Sequence, residues 1–548
     1  MDTPINNGQM KTKNVVIDNN KKKASPLENR NKTTDVDTTL MTKATIMSEP
    51  FCFGRKKICI PVSADDFREN PLKYFAKYIG QIESEHNANV KQIQYLNKVF
   101  RGEQDILLKV RANKDSRINN KSVTNFCIEW NQFKKGYYVG KPIKYVDLEG
   151  TSNDYDDMKY FNIYMRDISK SSLDMIKYEH LFTNGIAYTM SYFKDNKEKN
   201  PIDTKKESPF EYIILDNEEV CCVYSTDMKK TRLFALYFTD VVEEDESYKI
   251  YQIEFGKTMI RVRKSSKENS IYGFEVLEET TLRIEDRITE YTLNEQRMSV
   301  IEMALSGLND VNRIRSNALD QQEEQVNAYI VFKNVDTSKI DTNKMKEERI
   351  IGITNANNNK DVDLFKLEIN VDFSSINALV EKIVQDMFDI VGVPRATSNT
   401  GQGVSGEAQT YGGGWENAQN VAKVDTTYLQ QFEKQDLKKF IALCNDYPNN
   451  MIPHLYTNGI EIKYTLNKSN NMMVKAQSLK YFIETGFTRE QALTYCEITD
   501  DPQNDGKVAD ENAMRNEREQ LELEIEKEKK LKEITNNSND VENQEVQN

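Results

Sequence analysis

The sequence predicts an α+β protein that is mostly helical, and three stretches support this fold class. Apolar residues recur at three- and four-residue spacing in two long segments, about 294–328 and 372–391, which is the pattern of amphipathic helices. Between about 186 and 284 the apolar period becomes two, in short runs separated by Asp, Asn, Lys and Gly clusters. These runs are too close together for crossover helices, so we expect an antiparallel β region beside helices.

The shorter helical segment has clear boundaries. Ser374 and Ser375 offer hydroxyl N-caps to its first turn. Gly392 stands where a left-handed residue ends a helix, and Pro394 lacks the N–H that a continuing helix needs. The spacing predicts one apolar stripe that consists of Ile376, Leu379, Val380, Ile383, Met387, Ile390 and Val391.

A polar, glycine-rich loop follows this helix. It contains almost no large apolar residue before Tyr411, so it cannot bury itself and must lie against solvent or a partner. Arg395 is the only charged side chain between Pro394 and Glu407. Trp415 follows three consecutive glycines, and we expect it to anchor the start of the next helix against the core rather than to stack on a base.

The first part of the chain is predicted to contain a disordered arm and then three helices. Residues 1–48 are rich in Asn, Lys, Thr and Asp and cannot offset their ordering entropy, so we expect a disordered arm. Three predicted helices follow, and they end near Gly102, Gly136 and Gly185. Aromatic and β-branched residues after the second helix indicate a strand.

The later part is again mainly helical. Between 328 and 370, short apolar runs flank a polar linker, and we expect a small α+β cap on the far end of an antiparallel helix pair. After the glycine-rich loop, a long helix is predicted to end before Pro448. In the helix pair that follows, Thr488 and Gln491 have capping-box spacing. The C-terminal segment is charged nearly all round, which indicates a solvated helix or a fraying tail.

Composition excludes several function classes. The formal charge of −13 and pI near 5.2 argue against a protein that wraps nucleic acid tightly, since that needs many Lys and Arg on phosphates. The seven cysteines match no disulfide framework, so a reducing cytosol is expected. No apolar run is long enough for a signal core or a membrane span.

Two motifs imitate nucleotide-binding loops. Gly401, Gly403 and Gly406 spell GxGxxG, but the dinucleotide fingerprint needs a strand before it and here a helix precedes the loop. The letters FGKT at 255–258 end like a Walker A motif, yet Tyr251 stands where its first glycine belongs. We interpret the first motif as flexibility and the second as a β-turn.

No residues assemble into a catalytic or metal-binding pattern. His86, His180 and His454 are far apart and have no HExxH or Cys partner at ligand spacing. No nucleophile, base and orienting group can be grouped from the motifs. We therefore expect no cofactor, no metal and no enzymatic activity.

The order of the segments resembles the portal protein of tailed bacteriophages, in the form found in long-tailed phages of Gram-positive hosts. The resemblance covers roughly residues 90–500 and rests on five stretches: GYYVGKPIKY at 136–145, NGIAYTMSYF at 184–193, VIEMALSGLNDVNRIRSNALDQQEEQVNAYIVFKN at 300–334, SINALVEKIVQDMFDIVGVP at 375–394 and SGEAQTYGGGWENAQNVAKVDTTYLQQFEKQDLKKFI at 405–441. The last one departs from the family pattern at Gly412 and Gly413, where a charged pair is expected before the Gly-Trp.

The resemblance implies a fold of wing, stem, clip and crown with long stem helices and the antiparallel β region in the wing. It places the parts as follows: a disordered arm at 1–48, the wing at 49–293, the first stem helix at 294–327, the clip at 328–370, the second stem helix at 371–391, a tunnel loop at 392–406, a long wing helix at 407–468, the crown at 469–505 and a charged tail at 506–548.

The resemblance also implies partners. The chain would form a homo-oligomeric ring, usually of twelve subunits, at one capsid vertex of the virion, after assembly in the host cytoplasm. Double-stranded DNA would pass through it without sequence specificity, driven by a terminase that docks on the clip. A head-completion or adaptor protein would later take that place, and the ring would also contact the major capsid or scaffolding protein. No membrane partner is implied.

Site residues follow from that assignment. The tunnel loop would present Pro394, Arg395, Thr397, Ser398, Asn399, Gly401, Gln402, Gly403 and Ser405 to the DNA. The clip would dock its partner through Lys339, Lys344, Lys346 and Arg349. Trp415 would anchor the wing helix. For Arg395 we keep two possibilities, a contact with a DNA phosphate and a salt bridge to a neighbouring subunit.

Two other classes of protein remain open at this point. A coiled-coil scaffold or adaptor of virion assembly would explain the long helices and charged tail without a ring. An enzyme would require a constellation that the motifs do not supply.

Overall fold

The computed structural model describes residues 54–110, 118–147, 156–194, 202–243, 246–266, 270–326, 330–333, 363–366, 372–395, 414–467, 472–496, 498–499 and 502–545. The chain divides into two compact units, Met1–Asn467 and Lys468–Asn548. The arm predicted to be disordered, 1–48, lies outside the described residues.

The described residues form eleven α-helices. They are α1 (Ala64–Glu69), α2 (Pro71–Phe100), α3 (Phe126–Val139), α4 (Asp157–Asp167), α5 (Lys170–Asn184), α6 (Val300–Val326), α7 (Phe373–Val391), α8 (Trp415–Asn445), α9 (Met472–Glu484), α10 (Arg489–Cys496) and α11 (Pro502–Glu545). The helix predicted between Lys121 and Gly136 is α3, which begins five residues later and ends at Val139 because Gly136 stays helical.

Thirteen strands complete the described elements. They are β1 (Ile58–Ile60), β2 (Lys144–Asp147), β3 (Ile186–Phe193), β4 (Phe210–Leu215), β5 (Val220–Ser225), β6 (Arg232–Glu243), β7 (Glu246–Phe255), β8 (Thr258–Lys264), β9 (Phe274–Thr281), β10 (Ile288–Thr292), β11 (Ile330–Lys333), β12 (Asp363–Lys366) and β13 (Ile460–Lys463). The α+β, mostly helical fold class is therefore confirmed.

The strands form four sheets. The largest has the order β1-β5-β6-β7-β8-β9, and a second has the order β10-β3-β4. Two further pairs, β11-β12 and β13-β2, have two strands each. All these neighbours are antiparallel except β1 and β5, where Ile58 lies opposite Val223 in a parallel pair. The strand pairs within the predicted region, 186–284, are all antiparallel, so that prediction is confirmed, and the parallel strand β1 lies outside the region.

The Walker-like letters lie in a hairpin turn. Phe255 ends β7 and pairs with Thr258, the first residue of β8. The two residues between them form the turn, and Gly256 has a φ of +52°. A two-residue turn of this kind needs positive φ, which glycine adopts without strain. The interpretation as a turn is confirmed.

The larger sheet packs against α1 and the first half of α2 through aromatic rings. Phe67 stacks on Phe234 with ring centroids 4.6 Å apart, and Phe75 meets Tyr251 and Phe274 at 5.6 and 5.2 Å. Offset and edge contacts of this kind add to the stabilisation from burial. A second and larger core joins the three-stranded sheet to helices α3 to α8.

Helix α8 is the longest helix of that core. Its 31 residues span about 46 Å at 1.5 Å per residue. Its apolar buried residues are Ala418, Ala422, Leu429, Leu437, Phe440, Ile441, Leu443 and Cys444. It contacts β10, β3 and β4, so one helix holds the three-stranded sheet in place.

Helices α6 and α7 form an antiparallel pair. Gly307 of α6 lies against Met387 of α7, and the strands that follow α6 and precede α7 pair antiparallel, with Ile330 opposite Lys366. A Cβ atom at Gly307 would lie 2.7 Å from Met387 Cγ. The helices therefore approach closely at a glycine.

The C-terminal unit contains α9, α10 and α11. Gln491 N–H donates to Thr488 Oγ1 and Thr488 N–H donates to Gln491 Oε1, both at 3.2 Å. This reciprocal pair confirms the predicted capping box. The rings of Phe482, Phe487 and Tyr495 pack together in the same unit.

Replacing Gly307 with Ala tests the close approach of α6 and α7. In a helix interior, Gly→Ala alone stabilises by about 0.5–1 kcal/mol. At Gly307 the new methyl group meets Met387, and overpacking costs about 1–3 kcal/mol. We expect the midpoint of thermal unfolding to fall or stay level.

Gly80 of α2 supplies the matched control, because a Cβ atom there would meet nothing within 4 Å. Gly80→Ala should raise the midpoint. Equal increases for both variants would contradict the assigned packing.

Candidate functional site

Helix α7 is bounded by one polar cap and one glycine. The Asp372 carboxylate accepts hydrogen bonds from the N–H groups of Ser374 and Ser375, at 3.0 and 3.2 Å. The prediction that Ser374 and Ser375 cap the helix is therefore wrong, since the helix begins at Phe373 and its N-cap is Asp372, two residues before Ser374. Gly392 has a φ of +67°, which confirms the predicted left-handed end.

The apolar stripe of α7 is only partly covered within one chain. Its buried residues are Val380, Val384, Met387, Phe388 and Val391. Leu379 is 52% exposed and Ile390 is 58% exposed. The stripe predicted from spacing is therefore wrong at these two positions for a single chain, because α6 and α3 cover a face that is rotated towards Phe388.

Helix α6 is held at its base by a buried ion pair. Ser299 and Glu302 cap each other: Glu302 N–H donates to Ser299 Oγ, and Ser299 N–H donates to Glu302 Oε2. The other oxygen of Glu302 accepts from Gly54 N–H and pairs with the buried guanidinium of Arg55. The α6 terminus is thus fixed to the segment that leads into β1.

Three polar residues of α6 bind an extended segment along its side. Thr124 N–H donates to Asn312 Oδ1 at 2.8 Å, and Ser122 N–H donates to Ser316 Oγ at 2.9 Å. Asn120 N–H donates to Asp320 Oδ1 at 2.6 Å. The acceptors are four residues apart on the helix and the donors are two apart on the segment. All three acceptors are fully buried, so this face of α6 is occupied by its own chain.

Helix α8 begins at Trp415, directly after the glycine-rich loop. The preceding Gly414 has a φ of +80°, a left-handed conformation that glycine adopts without strain. The Trp415 ring makes edge contacts with Phe133 and Tyr137, with centroids 5.7 and 6.2 Å apart. The indole thus lies against α3 at the point where α8 starts.

Arg395 forms a contact within its own chain. Its Nη1 lies 2.8 Å from Glu381 Oε2 on α7, and its guanidinium lies over the Phe388 ring. Its side chain is 29% exposed. In one chain the guanidinium therefore lies against the side of α7, where it contacts Glu381 and Phe388.

The other predicted site residues lie outside the described residues. These are Thr397, Ser398, Asn399, Gly401, Gln402, Gly403 and Ser405 of the loop and Lys339, Lys344, Lys346 and Arg349 of the segment between β11 and β12.

A buried group of charges joins α5 to α8. Glu433 is fully buried and pairs with Lys177 and with Lys170, whose Nζ lies 3.3 Å from Oε2. Asp174 lies 2.8 Å from Lys177 Nζ and also contacts Lys170. Burial alone would raise the pKa of Glu433, but the two ammonium groups lower it to about 2. The carboxylate is therefore held in its charged form.

One turn further on, Asp436 joins α8 to the three-stranded sheet. Its carboxylate accepts hydrogen bonds from the hydroxyls of Tyr291 at 2.7 Å, Tyr212 at 2.9 Å and Thr189, and also from Thr289. Burial of Lys439, one turn along α8, lowers its pKa to about 8, against the opposing effect of Asp436. Each strand of the sheet thus donates to one carboxylate.

Sequence reasoning missed these buried charges. The available signal is that Glu433, Asp436 and Lys439 interrupt the apolar face of α8 at three-residue spacing. Charged residues at core positions are rarely buried unless they are paired. Apart from the Asp436–Lys439 pair on α8 itself, the partners named above lie 145 or more residues away along the chain, so no local pattern identifies them.

The described residues thus form a long antiparallel helix pair that is fixed at its base and side to an α+β body. A family model described as "Phage portal protein, SPP1 Gp6-like" matches residues 79–531, which is most of the chain. The chain therefore belongs to this family of phage portal proteins, which are structural and not enzymes. No curated protein matches the chain.

Family membership has general consequences for assembly. It implies an oligomeric ring and interaction with the capsid and terminase, and it makes the chain a component of the virion capsid. Among the described residues, no group of His, Cys, Asp and Glu is arranged to hold a metal ion. None of the helices in the described ranges combines the length and apolar character that crossing a bilayer requires.

Replacing Glu433 with Gln tests the buried charge group. Removing one partner of a buried ion pair costs about 3–5 kcal/mol, so the midpoint of thermal unfolding should fall markedly at pH 7. The folded-state pKa of Glu433 is depressed to about 2, so its contribution is present above about pH 4.5 and is lost as pH falls towards 2. The variant should therefore lose less stability than the wild type over that pH range.

Glu278→Gln is the control, since Glu278 forms an exposed ion pair with Arg261 at 3.3 Å. It should change stability by less than about 1 kcal/mol. A Glu433→Gln protein as stable as this control would show that the buried charges do not hold α8.

Proposed function

We propose that the chain forms a ring of twelve copies at one capsid vertex, through which double-stranded DNA passes during packaging and ejection. The observation that carries this proposal is the α6–α7 pair, whose apolar stripe is incomplete in one chain. Leu379 and Ile390 are exposed on α7, and a neighbouring copy packed side by side would cover them. The ring that the family implies supplies such a neighbour.

We assign the parts of the portal to the chain in the order that the sequence predicts. The helix pair would be the stem, at 294–327 and 371–391. The segment that carries β11 and β12 would be the clip, at 328–370. Residues 49–293 and 407–468 would be the wing, the C-terminal helices at 469–505 the crown, and 506–548 the tail. The antiparallel pairing of β11 with β12 supports a clip that closes the far end of the stem.

DNA would move through the ring without recognition of its base sequence. The net charge of −13 supports a mostly negative channel, which repels a duplex and lets it slide. The loop at 392–406 would project towards the axis, where Arg395 would meet a phosphate. To do so, Arg395 would exchange Glu381 for the DNA, and a salt bridge to a neighbouring subunit stays the second possibility.

Docking partners would meet the clip from outside the capsid. Terminase would bind there during packaging, through Lys339, Lys344, Lys346 and Arg349, and a head-completion or adaptor protein would replace it. The wing would contact the major capsid or scaffolding protein. Assembly would take place in the host cytoplasm.

Negative-stain imaging of the purified full chain tests the ring. We expect annular particles with a central hole. Leu379→Gln combined with Ile390→Gln should reduce the fraction of rings, because the neighbouring copy would then meet polar groups. Met228→Gln with Val242→Gln, which also replaces two exposed apolar residues, should leave ring formation unchanged. Extended monomers or dimers of the wild type would overturn the proposal.

Deleting Thr397–Gly403 tests the loop separately from the ring. We expect rings of normal appearance, because α7 and α8 contact each other directly: the Asn417 side chain donates to the Asp389 carbonyl at 3.0 Å. DNA packaging or retention should fall when the shortened chain replaces the wild type in a packaging assay. If the deletion prevents rings from forming, the loop is a structural connection and not a moving part.

A further inference from the structure

Helix α8 separates its charges by face. Between Asn420 and Ala442 its acidic residues are Asp425, Glu433 and Asp436. Glu433 and Asp436 are buried in the charge group described above, and Asp425 accepts a hydrogen bond from the buried Tyr138 at 2.6 Å. The exposed face of the same stretch carries Lys423, Lys434 and Lys438 and no carboxylate. In a chain with a net charge of −13, this face is locally cationic.

An open groove of about 480 Å³ lies on this face. The described residues that line it are Gln431, Lys434, Gln435, Lys438, Tyr456, Thr457 and Asn458. Each of these side chains can donate a hydrogen bond, and none is acidic. Lys, Gln, Asn, Thr and Tyr are the side chains that, with Arg and Ser, contact phosphate oxygens in complexes with DNA.

The two lysines of the groove are available for an external anion. Lys434 and Lys438 are exposed and lie one helical turn apart, about 6 Å along the axis. Neither forms an ion pair or hydrogen bond with any residue in the described ranges. By contrast, the exposed Lys382 and Lys480 each pair with an acid four residues further along their helices.

The opposite wall of the groove is held in a defined position. Tyr456 precedes a short 3₁₀ turn at Thr457–Gly459, and its ring lies directly against Gly459. A Cβ atom at Gly459 would be 2.8 Å from the ring, so only glycine permits this contact. The contact with Gly459 therefore positions the Tyr456 ring as one wall of the groove.

We propose that this groove binds the phosphodiester backbone of double-stranded DNA. Lys434 and Lys438 neutralise phosphates, and Gln431, Gln435 and Asn458 donate to their oxygens. These contacts reach no base edge, so binding is independent of sequence. The site goes beyond the channel proposed above, because it lies on α8 and the 456–458 turn, which are assigned above to the wing.

Closed circular DNA tests this site. A covalently closed minicircle cannot thread a preformed ring, so its binding reports a surface outside the channel. We expect the full-length wild type to bind a fluorescent minicircle in an anisotropy titration. Lys434→Gln with Lys438→Gln should weaken binding about tenfold or more at 0.1 M salt. It should also reduce the slope of log affinity against log salt by about 2.

Lys73→Gln with Lys77→Gln is the matched control, because these exposed lysines of α2 have the same spacing and the same charge change. It should leave minicircle affinity close to that of the wild type. Equal losses of minicircle affinity in both double variants would overturn the proposal that the groove binds DNA. Binding of linear duplex without binding of the minicircle would also overturn it.

The oligomeric state distinguishes DNA from the other possible occupant of the groove, a second copy of the chain. If Lys434→Gln with Lys438→Gln abolishes rings while monomeric wild type binds no minicircle, the groove receives an acidic surface of a second copy, and the DNA proposal is wrong. Failure of the wild type to form rings would count against the channel, but minicircle binding would still support the groove.

Discussion

The buried contact between Glu433 and the two lysines of α5 is the constraint on which the main body of the chain depends. It joins the longest helix of the large core to α5, and Asp436 joins the same helix to all three strands of the smaller sheet. An unpaired charge in such a position costs several kcal/mol. Helix α8 can therefore neither rotate nor slide by one residue without separating charges from their partners, and the apolar packing around it is confined to one register.

The position of the α6–α7 pair is fixed by its contacts with the α+β body. Helix α6 is bound at its first turn by Arg55 and the capping pair, and then along its length by the segment at 120–124. The last of these contacts, from the Asn120 side chain to Glu323 at 3.0 Å, falls in the final turn of α6. Helix α7 adds the close approach at Gly307. A load applied to the far end of the pair would thus be transmitted to the α+β body through hydrogen bonds and ion pairs rather than through apolar contacts alone.

Much of this fold follows from local patterns, and the exceptions have physical reasons. Some features depend only on neighbouring residues and can be predicted from the local pattern. They are the positive φ of Gly392 and Gly256 and the capping box of Thr488 and Gln491. By contrast, β10 has the letters ITEYT, and all five residues are buried; Thr289 and Tyr291 donate to Asp436, which lies 145 or more residues away along the chain. Asp372 and Ser374 are both good caps, and only the backbone decides between them. Spacing places Leu379 and Ile390 on the apolar stripe of α7, but it does not show which element or which copy of the chain covers them.

The ladder between α6 and the extended segment joins two repeats of slightly different length. Four helical residues rise about 6.0 Å, whereas two extended residues advance about 6.6 Å, so each further rung adds roughly 0.6 Å of mismatch. Over three rungs the error is about 1.2 Å, which acceptors of different reach can absorb, with the short Ser316 between Asn312 and Asp320. The three hydrogen bonds together define the position of the segment along α6.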